Sequence, residues 1–115
     1  MSEPVVVCER NFATMRGGEE VPITVRWFQP ESDGQDHFCR FSIQIGTGEP
    51  YERQIYGVDS VQALLLAMET VGVDLYIQDP PVFWFNPGDD LGLPVVDIID
   101  EPRAQLVRRT GHANG

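Results

Sequence analysis

The chain has 115 residues and a mass of 12.9 kDa, the size of one domain. Hydrophobic residues make up 42% and charged residues 23%, a globular composition outside the disordered regime. Eighteen acids face eight bases, every one an arginine, for a formal net charge of -10. That balance excludes a free-standing nucleic-acid binder, which needs a basic patch for phosphates, and disfavours docking on anionic lipid.

A domain of this length buries about two thirds of the surface its unfolded chain exposes, enough for one core without staples. The longest strongly apolar stretch, Ala63 to Met68, is far short of the roughly 20 residues of a membrane span. Met1-Ser2-Glu3-Pro4 carries no signal-peptide pattern, so the expected location is the cytoplasm, with Cys8 and Cys39 as reduced thiols.

The first element is a strand over Pro4 to Met15, opened by the β-branched run Val5-Val6-Val7. Val6, Cys8 and Phe12 fall on one face and Val5 and Val7 on the other, and a bulge near Arg10 reconciles them. Arg16-Gly17-Gly18-Glu19-Glu20 reads as a hairpin turn, because paired glycines supply positive φ. In the second strand Ile23, Val25 and Trp27 alternate with Thr24, Arg26 and Phe28, a half-buried pattern. Gln29 to Asp36 is an acidic loop. The third strand sets Cys39, Phe41, Ile43 and Ile45 against Arg40, Ser42 and Gln44. Gly46 to Pro50 turns into a short fourth strand, Tyr51 to Gly57, with Ile55 inward and Gln54 and Tyr56 outward.

The period then becomes helical. Val61, Leu64, Leu65, Met68, Val71 and Leu75 form an apolar face, and the expected helix runs from Ser60 to about Leu75. Asp59 is its N-cap and Gln62 completes a capping box, while Gly72 is a weak point and Pro80-Pro81 a stop. Val82 to Phe85 is a short apolar run, Asp89 to Pro94 a loop, and Val95 to Ile99 a last short strand. Beyond Glu101 the pattern fades into an arginine-containing stretch. The expected architecture is therefore α+β: an antiparallel four-stranded meander, with a fifth short C-terminal strand, and one main helix packed on one face. Residues 1–101 form the single domain and 102–115 a flexible tail.

No catalytic, cofactor or metal constellation emerges. Asp36, His37 and Cys39 lack a C-x-x-C or H-x-x-H partner, so Cys39 reads as a small core hydrophobe. Asp89, Asp90, Asp97, Asp100 and Glu101 match no calcium-loop spacing and read as a solvated acidic surface. Gly46-Thr47-Gly48 does not open a helix and is discounted as a phosphate loop. What remains are partner-contact candidates. Phe83, Trp84 and Phe85 cannot all enter one core, which marks Phe83 and Trp84, with Asp89 and Asp90 beside them, as a contact or cleft region. Leu66 and Val73 lie on the helix face with Gln62 and Glu69, opposite the core, and need cover from the C-terminal segment or a second copy of the chain. Arg26 and Arg40, with aromatics on the open sheet face, make a polar binding surface or an ordinary solvated one.

Tyr56-Gly57-Val58-Asp59-Ser60-Val61-Gln62-Ala63-Leu64, with Trp84 and Asp90-Leu91-Gly92-Leu93-Pro94 after it, resembles a small bacterial domain family of unknown function. The resemblance spans roughly residues 5 to 95 and implies no catalytic residue. The stretch also has a purely physical reading: Gly57 permits a tight turn, Asp59 and Gln62 cap, and Ala63 allows close packing. The functional expectation is a non-enzymatic acidic module that binds a basic protein, as an immunity-like protein or a phage-type inhibitor of a nucleic-acid-handling protein does. The alternatives are a small-molecule binder or enzyme with a cleft near Trp84, Asp89 and Asp90, and a structural homodimer through Leu66 and Val73.

Overall fold

In the computed structural model, which describes residues 4–98 and 106–109, strands Val6–Arg16 (β1) and Glu19–Phe28 (β2) form the first hairpin. Gly17 and Gly18 link them with φ of 58° and 81°, the left-handed pair that a two-residue turn between twisted strands requires. The register pairs Phe12 with Ile23, Arg10 with Val25 and Cys8 with Trp27. The bulge expected near Arg10 lies at Val7 instead: Val6 and Cys8 oppose the adjacent residues Phe28 and Trp27. This shift keeps Arg10 in phase with Cys8 and Phe12, so an arginine stands on the core face.

Residues Glu31–Ser32 (β3), His37–Ile45 (β4) and Tyr51–Gly57 (β5) follow. The polar loop after β2 thus contains a short strand, which pairs with the start of β4. Antiparallel pairs Val25–Ile43 and Trp27–Phe41 join β2 to β4, and Cys39–Ile55 joins β4 to β5. Val82–Phe83 (β6) adds to the far side of β1 through Thr14–Val82 and Ala13–Phe83. The sheet is six-stranded, larger than the four-stranded meander that hairpin spacing alone predicts. Val95–Ile98 (β7) is a strand, as expected, but it pairs with Leu106–Arg109 (β8) in a separate two-stranded sheet rather than extending the meander. Residues 106–109 fall in the stretch read as a tail; 99–105 and 110–115, with Asp100 and Glu101, lie outside the described residues.

Helix Ser60–Tyr76 (α1) covers one face of β2, β4 and β5. Ile23, Val25, Trp27, Cys39, Phe41 and Ile43 are buried beneath Ala63, Ala67, Val71 and Leu75. Each fully buried Val, Ile, Leu or Phe among them contributes about 1.5–3 kcal/mol. The buried line of the helix differs from the expected one. Val61 is 73% exposed, and Leu64, Leu65 and Met68 are half-buried at the flanks. Two alanines at i and i+4 let the helix axis approach the sheet, and the larger leucines splay to either side of that line.

Asp59 begins α1 in an extended conformation, and its Oδ1 accepts from Gln62 N at 2.8 Å. Gln62 Oε1 in turn accepts from Val58 N at 2.8 Å, so the reciprocal box closes one residue before the cap. Asp59→Ala removes one of these bonds and is expected to cost about 1 kcal/mol. The urea midpoint reads this loss; an unchanged midpoint would mean that the Gln62 back-bond alone holds the turn.

Gly72 does not weaken or end the helix. A Cβ there would stand 2.7 Å from Pro94 O, so the glycine admits the 91–94 segment across α1. Leu91 and Leu93 are buried, and Leu91 N donates to Tyr76 Oη at 2.9 Å. Glu69, expected to face outward, is only 3% exposed because this side of the helix is covered.

Candidate functional site

The residues singled out from the sequence fall into three separate regions. Phe83 is buried beside Ala13. Trp84 is half-buried, with the Arg10 guanidinium 4.0 Å from its ring centroid and Phe85 stacked on it at 4.9 Å. Phe85, at 72%, is the exposed member of the three aromatics. Asp89 Oδ2 accepts from Phe85 N and Asn86 N at 3.1 and 2.7 Å, which ties down the turn. Its carboxylate is therefore engaged locally, and Asp90 is half-buried next to it. Arg10 organises this region, donating from Nη1 to Leu91 O and Gly92 O at 3.1 and 2.9 Å.

Arg26 and Arg40 lie on the sheet face away from α1. Arg26 Nε is 2.8 Å from Glu9 Oε1, and Arg40 Nη2 is 3.4 Å from Glu31 Oε2. Arg40 also sits over Phe38, which tilts against Tyr56. Exposed pairs of this kind contribute about 0–1 kcal/mol each, but they neutralise both arginines locally. On the helix, Leu66 is half-buried and Val73 is 42% exposed, so the 91–94 segment covers that side only in part.

Cys39 is fully buried, and its Sγ lies 3.3 Å from Phe28 O. Burial pushes the thiol up to about 11, well away from a nucleophile's range. Burial also raises the Cys8 thiol, and both cysteines are free. Among the described residues no three His, Cys, Asp or Glu side chains gather as a metal-binding set. No helix among them is long and apolar enough to cross a membrane.

A concave site exists elsewhere, at the opposite end of α1 from its cap. A cavity of about 470 Å³ opens between the last turn of the helix and the β4–β5 turn. Ile43, Ile45, Leu75 and Ile77 give it apolar walls; Tyr51, Gly48 and Glu49 form one lip, and Asp74 and Gln78 the other. Asp74 lines the cavity with its Oδ2 screened from solvent and accepting no hydrogen bond among the described residues. The last turn of α1 carries no basic residue, so the partial negative charge of the helix C-terminus is unopposed. Gly46 N donates to Pro22 O at 2.8 Å, which brings the β1–β2 and β4–β5 hairpins to the same end of the sheet. Those turns and the helix end carry Arg16, Glu19, Glu20, Glu49, Asp74 and Asp79.

Residues 8–95 match the family model described as Domain of unknown function (DUF6968). The chain belongs to the DUF6968 family. No curated protein and no solved structure matches it. The matched span takes in the main sheet from Cys8 onward, α1, the Arg10–Trp84 contact and every residue lining the cavity.

Sequence reading missed the cavity of the DUF6968 domain, because its residues come from segments about 30 positions apart with no motif spacing. One signal was present. An aspartate in the last turn of a helix, with no basic residue beside it, opposes the helix dipole.

Proposed function

We propose that this chain is a non-enzymatic acidic module that binds a basic protein in the cytoplasm, as an immunity-like or phage-type inhibitor of a nucleic-acid-handling protein does. One observation carries this reading: the layout of charge. The two sheet-face arginines are matched by Glu9 and Glu31, whereas Glu49 and Asp74 line a concavity at the end of the sheet whose turns also carry Glu19 and Glu20 against the one base Arg16. A surface with an excess of one sign beside an apolar hollow steers a partner of opposite sign and gives it somewhere to anchor. Proteins that handle nucleic acid present the basic surfaces that such a face complements.

The test is capture from extract of the source organism at low ionic strength, with the wild-type domain and a Glu19→Lys/Glu20→Lys/Glu49→Lys variant side by side. The expected result is a basic protein retained by the wild type, released by salt and lost with the variant. Retention of the same protein by both, or of acidic proteins only, contradicts the reading.

A further inference from the structure

We infer that the cavity between the end of α1 and the β4–β5 turn is a receptor for one arginine side chain offered by the partner protein. The inference rests on the acidic-module reading and names the anchor within it. The volume, about 470 Å³, lies within the range of sites that enclose a small organic group, roughly 300–1,000 Å³. Apolar walls of Ile43, Ile45 and Ile77 suit a methylene stem, which long cationic side chains bury while keeping the head group polar.

The head group is selected by charge. Asp74 stands at one lip and Glu49 at the other, and the helix C-terminus adds its own partial negative charge. An anion is repelled by all three. A neutral apolar group fills the walls but leaves the screened Asp74 Oδ2 without a donor. A cation is attracted by both carboxylates and brings donors to the Asp74 side of the cavity. Guanidinium fits better than ammonium, because its planar fork can donate to a carboxylate while its face rests on an aromatic ring, here Tyr51. Tyr51 is half exposed and tilts against Phe41, which holds the ring at the mouth. No arginine or lysine in the last turn of α1 competes for the place.

The experiment uses N-acetyl-arginine methylamide as probe, with the citrulline and lysine analogues as controls, and follows backbone amide shifts of the ¹⁵N-labelled full chain by NMR. The arginine probe is expected to move Glu49, Tyr51, Asp74 and Gln78 in a saturable, salt-sensitive way. Asp74→Asn should weaken it by about tenfold or more, the loss expected on removing a charge-assisted partner. Glu49→Gln, at the exposed opposite lip, weakens it less and guards against a folding artefact at Asp74. Equal shifts from the citrulline or lysine analogue, shifts confined to other regions, or an unaffected Asp74→Asn variant overturn the inference. Successful protein capture alongside a cavity that ignores arginine overturns the anchor alone; arginine binding without capture of a basic protein overturns the module reading.

Discussion

Gly57→Ala is expected to destabilise the domain by about 3 kcal/mol, lowering the melting temperature by about 15 °C. A Cβ at this position would stand 2.5 Å from Ala63 N and 2.9 Å from Ala63 Cα and from Gln62 C. These are backbone atoms of the first turn of α1 and cannot swing aside. Relief would require moving β5 away from the helix, which opens the Ala63 contact and strains the Asp59–Gln62 box. Gly34→Ala is the informative control. Its φ is 98°, yet a Cβ there meets nothing within 4 Å, so the cost is backbone strain alone, about 1 kcal/mol. Thermal melts of both variants separate crowding from conformation. Equal effects would mean that the strand-to-helix junction yields more readily than its geometry indicates.

Arg10→Met carries the second large effect, about 3 kcal/mol. Methionine keeps much of the apolar stem but leaves the Leu91 and Gly92 carbonyls without their donor and removes the cation from the Trp84 face. Gly92 shows how closely the three groups fit: its φ is 69°, and a Cβ would lie 2.5 Å from Trp84 Cζ3 and 2.8 Å from Arg10 Nη1. Loosening this cluster frees the 84–94 segment from the sheet while the Trp27 side of the core stays packed. Hydrogen exchange is the appropriate readout. The Leu91 amide, bonded to Tyr76 Oη, should lose protection well before the β2 and β4 amides do. Uniform loss across the sheet would show instead that Arg10 stabilises the whole fold and not this segment.

The parts of the fold that follow a local period were legible in the sequence. Ile23, Val25 and Trp27 alternate because one sheet face is buried, and Cys39, Phe41 and Ile43 repeat the pattern on the neighbouring strand. The helix start was legible because Asp59 and Gln62 act within four residues of each other. What escaped depends on distant partners. Arg10 looks like a surface charge until the bulge at Val7 sets its phase and Leu91 and Gly92 arrive from 81 and 82 residues away. Gly72 looks like a flaw until Pro94 crosses it. Ala63 and Ala67 rank low in hydrophobicity, yet their small size sets the helix-to-sheet distance, so the buried line ran between the leucines that an apolar count favours.

The same contrast applies to the candidate sites. Phe83, Trp84 and Asp89 stood out locally, and much of each is engaged within the domain: Phe83 is buried, Trp84 packs on Arg10 and Asp89 caps its own turn. The cavity at the far end of α1 had no local signature beyond one aspartate placed against a helix dipole.

If the acidic turn end steers a basic protein onto the domain, as proposed, the association rate constant carries the signature. Measured by stopped flow with the captured partner, the rate should fall by about tenfold or more between about 0.05 M and about 0.5 M salt, with the dissociation rate changing little. The Glu19→Lys/Glu20→Lys/Glu49→Lys variant should start slow and show almost no salt dependence. An association rate indifferent to salt, or equal in the two proteins, would contradict the account.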